Sequence, residues 1–143
     1  KGNLLCYHRQ KTKKFRKDGA YMEIKIPARL FPLFEKYKSK TGYLLNFSER
    51  YQDSNCFNIN VNSGLKPYCR FNDLPNICIY NFRHSWATIA QNNCGANTAE
   101  VGFALNHSSA HRVTEGYIKK DYSPISLLND KVIEYVFGKN SIK

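Results

Sequence analysis

The stretch that decides the interpretation of this chain is Tyr80–Thr88, YNFRHSWAT, followed by Leu105–Ser109, LNHSS, and then by Tyr117. It supplies an arginine, a histidine and a tyrosine in that order, on short segments with helical character. Arginine and histidine can hold a phosphate through charged hydrogen bonds, and a tyrosine hydroxyl can attack one. The combination indicates chemistry on the nucleic-acid backbone.

The composition agrees with a polyanionic partner. Over 143 residues, 22 Lys and Arg stand against 11 Asp and Glu, and the net charge of +11 attracts nucleic acid. The hydrophobic fraction of 42% predicts a folded globule of one domain's size. No apolar run reaches the roughly 18 residues of a membrane span. Five scattered cysteines predict a cytoplasmic protein with reduced thiols, with neither a disulfide framework nor a metal cluster.

The periodicity predicts a hairpin followed by a run of helices, which is a mainly α fold with a small β-sheet (α+β). Alternating residues at 3–9 and 21–26 predict two strands, joined by a basic connection that ends in the turn Asp18-Gly19. The region 41–55 is predicted to be irregular. Helices are predicted at about 30–37, in part of 57–73, at 81–93, at 97–105, at 113–119 and at 123–138. Gly64 and Pro67 weaken the second of these, Gly95 follows the third, and a capping box of Asn97 and Glu100 begins the fourth. The last helix has an apolar face made of Ile125, Leu128, Val132, Ile133 and Val136.

Together these elements resemble the catalytic domain of the tyrosine recombinases, the integrases of phages and conjugative transposons. Arg83–Thr88 resembles the family's second-arginine helix, Leu105–Ser109 resembles its Leu-Gly-His-Ser-Ser element, and Tyr117 has the nucleophile's place. Arg9–Thr12 resembles the lysine motif of its β-hairpin. The resemblance implies that residues 1–143 are a partial catalytic domain of a DNA breaking-rejoining enzyme. Its N-terminal DNA-binding domain and first-arginine helix would precede this chain.

The resemblance also implies the reaction, which is site-specific recombination or integration of double-stranded DNA by a tetramer of protomers, without metal or cofactor. Tyr117 would attack a phosphodiester and form a 3′-phosphotyrosyl link. Arg83 would grip the phosphate, His107 would donate to a non-bridging oxygen, and Lys11 would protonate the leaving oxygen. We expect folding to gather these groups around one phosphorus atom.

The remaining cations of the hairpin connection are predicted to contact DNA. These are Lys13, Lys14, Arg16 and Lys17. The first two are also rivals of Lys11 for the role of general acid, because all three lie on the same connection.

Tyr80 and Asn106 depart from the family's pattern, and Trp86 is predicted to have a structural role. Tyr80 stands where the family commonly has histidine, and its hydroxyl could bind the phosphate or its ring could pack in the core. Asn106 replaces a glycine, a mild change because Asn tolerates a left-handed backbone. Trp86 is expected to be buried on the side of its helix opposite Arg83.

Two alternatives to a recombinase stay open, and the role of the C-terminal residues is a third open point. A type IB topoisomerase-like nicking and closing enzyme would use the same residues, whereas a degenerate domain would bind DNA without cleaving it. The 143 residues by themselves are expected to be inactive or very weak, because the family's first arginine is missing. Residues 132–143 could reach a neighbouring protomer or form a plain terminal helix.

Overall fold

The computed structural model describes residues 3–107 and 120–138, which divide into two compact units. The hairpin unit holds residues 3–28, 87–107 and 120–138, and the helical unit is Arg29–Trp86. Within these ranges the chain is mainly helical with a two-stranded antiparallel sheet, as predicted. The elements are β1 (Leu4–His8), α1 (Gln10–Lys13), β2 (Tyr21–Lys25), a 3₁₀ turn (Ala28–Leu30), α2 (Phe31–Lys36), α3 (Phe47–Arg50), α4 (Ser54–Phe71), α5 (Ile79–Asn92), α6 (Thr98–Ala104) and α7 (Ser123–Phe137).

The sheet forms the first part of the hairpin unit. Its register places Leu4 opposite Lys25 and His8 opposite Tyr21. Met22 of β2 is only 1% exposed and belongs to the core. Helix α7 is held to this strand by hydrogen bonds, since the Lys25 amide donates to Ser126 Oγ at 3.0 Å. Helix α7 is therefore tied to the second strand of the sheet.

The core of the hairpin unit is built from small and aliphatic side chains. On α7 the residues at i, i+3 and i+7 point inward, because this spacing keeps them on one face of a helix. Val136 lies on the same face one turn after Val132, and its side chain is 38% exposed. The buried apolar residues are Ala20, Met22, Ala90, Ala96, Val101, Ile125, Leu128 and Val132.

A sharp turn separates α5 from α6. Gly95 has a φ of +75°, which glycine adopts without the steric cost of a Cβ. Helix α6 then begins with the predicted capping box, which is confirmed. Asn97 Oδ1 accepts from the Glu100 amide at 2.9 Å, and the Glu100 carboxylate accepts from the Asn97 amide at 2.7 Å. The start of α6 is thus fixed by its own sequence.

The helical unit is organised around α4, which runs without a break through Gly64 and Pro67. A proline removes one intrahelical hydrogen bond, and here the loss does not end the helix. Phe57 packs on Phe47 with ring centroids 4.9 Å apart, and on Tyr51 at 5.3 Å. The prediction that the region 41–55 is irregular is confirmed at 41–46 and 51–53, and it was wrong at α3 and at the first two residues of α4.

The described part of the chain contains no helix with both the length and the apolar character needed to cross a bilayer. The helix predicted at 113–119 lies outside the described residues.

Candidate functional site

The loop between β1 and β2, residues 9–20, presents most of the candidate DNA-binding cations. It is closed by a hydrogen bond from the Arg9 amide to the Ala20 carbonyl at 3.1 Å. Inside it the short helix α1 forms, an element that the sequence pattern did not predict. Four lysines of the loop, Lys11, Lys13, Lys14 and Lys17, have exposed side chains. The loop therefore offers four exposed positive charges to solvent.

Arg16 differs from these lysines because its guanidinium is used inside the unit. Its side chain is only 14% exposed and forms a bidentate ion pair with Asp18, Nε to Oδ1 at 2.9 Å and Nη2 to Oδ2 at 2.7 Å. The third nitrogen, Nη1, donates to Asn106 Oδ1. The sequence grouped Arg16 with the DNA-binding lysines, and the structure gives it this internal role instead.

Asp18 accepts hydrogen bonds from several directions. Lys120 Nζ lies 2.5 Å from Oδ2, and the Ala20 amide lies 3.0 Å from Oδ1. Partial burial by itself would raise the pKa of Asp18, but the hydrogen bonds from Arg16, Lys120 and Ala20 hold that pKa well below its usual value. The carboxylate is consequently ionised at neutral pH and links the loop to the start of the segment that leads into α7.

Helix α6 ends in a Schellman motif that places His107. The His107 amide donates to the Gly102 carbonyl, and the Asn106 amide donates to the Phe103 carbonyl, both at 2.9 Å. Asn106 has a φ of +54°, the left-handed conformation that this motif requires at its penultimate residue. His107 follows directly and its side chain is exposed. The asparagine thus fits the backbone position for which the resembling family uses glycine.

The side chain of Asn106 joins this helix end to the β1–β2 loop. It is 3% exposed, and its Nδ2 donates to the Ala20 carbonyl at 3.0 Å. Its backbone carbonyl accepts from Arg9 Nη1 at 2.9 Å. The loop that carries Lys11 and the turn that carries His107 are therefore connected through one buried residue. No periodicity or motif pointed to this connection, because its partners are about 90 residues apart in the chain.

Arg83 and Tyr80 both lie on α5, in the helical unit. The first turn of this helix is anchored by the Ile79 amide, which donates to Asn62 Oδ1 at 2.8 Å. Tyr80 is 60% exposed and its ring meets that of His84 edge-on at 4.7 Å, so a core position for Tyr80 is ruled out. The contact of its hydroxyl with a phosphate stays a prediction.

Trp86 does not have the position expected from the sequence. It is half-buried, and it follows Arg83 by three residues, which places the two on neighbouring positions of the same helix face. The prediction that Trp86 is buried opposite Arg83 was therefore wrong. Arg83 is itself half-buried.

Two further predictions concern the nucleophile Tyr117 and metal binding. Tyr117 is outside the described residues, as are both serines of the LNHSS element, Ser108 and Ser109. Across residues 3–107 and 120–138, no three or more His, Cys, Asp or Glu side chains come together in a way that could hold a metal ion.

The site is thus defined by two sets of side chains within their own units. Lys11 and His107 belong to the hairpin unit, and Tyr80 and Arg83 belong to the helical unit. Comparison of the chain with protein-family models, with curated proteins and with solved structures gave no match.

Proposed function

We propose that this chain is part of a DNA integrase or site-specific recombinase of the tyrosine recombinase type. The observation that carries the proposal is the left-handed backbone of Asn106 directly before the exposed His107, at the position where the resembling motif has glycine. A motif match that arose by chance would not need to meet this backbone requirement. The exposed lysines of the β1–β2 loop support a partner that is double-stranded DNA.

The proposed reaction exchanges one phosphate ester for another. The Tyr117 phenol releases its proton to solvent, and its oxygen attacks phosphorus and forms a new bond to it, while the bond from phosphorus to the 5′ oxygen breaks. Lys11 gives its proton to that oxygen, which leaves as a hydroxyl. Arg83 and His107 donate hydrogen bonds to the non-bridging oxygens, and the Tyr80 hydroxyl is a further donor.

The covalent link explains how strands can be exchanged without ATP. The 3′-phosphotyrosyl bond is again a phosphodiester, so the 5′ hydroxyl of a second strand can attack it and restore intact DNA. A phenol with a pKa of about 10 is mostly protonated at neutral pH, so the tyrosine needs nearby cations that favour its phenolate form. Arg83 and the lysines of the loop are the candidates for this effect.

The test is a search for the covalent intermediate. The full gene product, with whatever residues the gene encodes ahead of Lys1, is incubated with a library of nicked duplexes of random sequence. The nick lies close to the cleaved bond, so the released oligonucleotide diffuses away and the protein stays attached. Denaturing gels detect the adduct, and mass spectrometry of the digested complex identifies the modified residue.

The matched control for Tyr117→Phe is Tyr43→Phe, which removes the same hydroxyl from an exposed tyrosine of the helical unit. We expect adduct with the unmodified protein and with Tyr43→Phe, and none with Tyr117→Phe. Binding of DNA without any adduct would show a non-catalytic DNA-binding module. Relaxation of supercoiled plasmid without exchange between two duplexes would identify a nicking and closing enzyme instead.

A further inference from the structure

Asn106 makes more hydrogen bonds than its position at the end of a helix requires. A left-handed turn needs only a residue that tolerates a positive φ, and glycine meets that need without a side chain. Here the buried amide donates to the Ala20 carbonyl and accepts from Arg16, and the backbone carbonyl accepts from Arg9. The residue therefore contacts the beginning, the middle and the end of the β1–β2 loop.

These contacts fix a loop that has little packing of its own. The short helix α1 buries no residue, and the side chains of Lys11, Lys13 and Lys14 are exposed. Beyond the hydrogen bond that closes the loop, its inward contacts include those of Arg9, Arg16 and Ala20 with Asn106. A buried polar side chain that is hydrogen-bonded through both its oxygen and its nitrogen holds its partners in a defined arrangement.

We propose that Asn106 is a positioning residue, which fixes the Lys11 loop with respect to His107. The proposal rests on the function proposed above. Lys11 must reach the leaving oxygen while His107 holds the same phosphate, and a proton is transferred only across hydrogen-bond distance. Arg16 takes part as the partner of Asn106 Oδ1, and its ion pair with Asp18 keeps the guanidinium in place.

The variant that tests the proposal is Asn106→Gly. Glycine accepts the φ of +54°, so the end of α6 can keep its backbone while the side-chain contacts with Arg16 and Ala20 are lost. The matched control is Asn97→Ala, which loses a side-chain hydrogen bond at the other end of the same helix. Chemical denaturation of both variants checks that each one is folded under the assay conditions.

A change of leaving group separates a positioning effect on Lys11 from a general loss of structure. In one substrate the 5′ bridging atom is oxygen, and in the other it is sulfur. An alkoxide needs a proton to leave, whereas a thiolate, whose conjugate acid has a pKa of about 8.5, leaves without one. A variant whose only defect is a misplaced Lys11 should therefore recover with the sulfur substrate.

We expect Asn106→Gly in the full gene product to slow adduct formation roughly 10- to 100-fold with the oxygen substrate, the size typical of a misplaced catalytic group. DNA affinity should be unchanged, and most of the loss should disappear with the sulfur substrate. Lys11→Ala should show the same recovery. Asn97→Ala should show equal effects, if any, with both substrates.

The outcomes distinguish the two proposals. If the unmodified protein forms no adduct at Tyr117, the proposed function fails and this inference fails with it. If the unmodified protein reacts and Asn106→Gly reacts at the same rate, only the positioning role is refuted. An equal loss with both leaving groups would also refute it, because the variant would then act on the fold or on His107 and not on Lys11.

Discussion

Replacement of Asp18 by asparagine tests whether the β1–β2 loop depends on its ionic contacts. The change keeps the shape of the side chain and removes its charge. In the unmodified chain Oδ2 accepts from Arg16 Nη2 at 2.7 Å and from Lys120 Nζ at 2.5 Å. An asparagine that still accepted from the Ala20 amide through Oδ1 would direct its NH₂ group at these two donors. Both contacts would be lost.

The expected loss in the free energy of unfolding follows from the exposure of the side chains that contact Asp18. The side chain of Arg16 is 14% exposed and that of Lys120 is 25% exposed, so neither contact is a fully solvated surface pair. A hydrogen bond to a charged group contributes about 1.5–3 kcal/mol when it is shielded, and an exposed ion pair contributes about 0–1 kcal/mol. Since Asp18 itself is 32% exposed, we expect the free energy of unfolding to fall by about 2 kcal/mol.

The pH dependence has a definite sign. The pKa of Asp18 is lowered in the folded state, so its ionisation stabilises the fold fully above the unfolded pKa of about 3.9 and progressively less below it. Urea denaturation followed by far-ultraviolet circular dichroism, between about pH 3 and 7, measures the difference between variant and unmodified chain. That difference should be constant near neutral pH and should shrink as the pH falls below about 4.

The control is Asp130→Asn, which makes the same chemical change at an exposed aspartate of α7. Its stability should stay within about 0.5 kcal/mol of the unmodified chain. A change in Asp18→Asn no larger than that of the control, or a difference that grows in acid, would show that the network around Asp18 contributes little to the fold.

Two further predictions concern other parts of the molecule. Asn97→Ala should lower the free energy of unfolding by about 1 kcal/mol through loss of the capping box with Glu100, and Asn97→Ser should restore most of it, as denaturation will show. Simultaneous replacement of Lys13, Lys14 and Lys17 by alanine should weaken DNA binding and reduce the slope of log affinity against log salt by about 3, and an unchanged slope would place the DNA elsewhere.

Local patterns predicted the elements that depend on local physics. The two strands, the capping box of Asn97 and Glu100, and the start of α7 at Ser123 were found from alternation, capping chemistry and the position of Pro124. Each of these signals acts over a few residues, so the sequence contains it in full. The elements that were not predicted depend on contacts between residues farther apart in the chain. Helix α3 forms in a region without periodicity, where Phe47 stacks on Phe57 ten positions later in the chain.

The sequence by itself therefore determined the class of fold, the basic loop and the candidate residues of the proposed reaction. Only the tertiary structure showed that Asn106 links His107 to the Lys11 loop, and that Arg16 serves this link instead of facing solvent. The physical reason is the distance along the chain. A hydrogen bond between residues 90 positions apart leaves no periodic trace in either segment, and it exists only after folding has buried both partners.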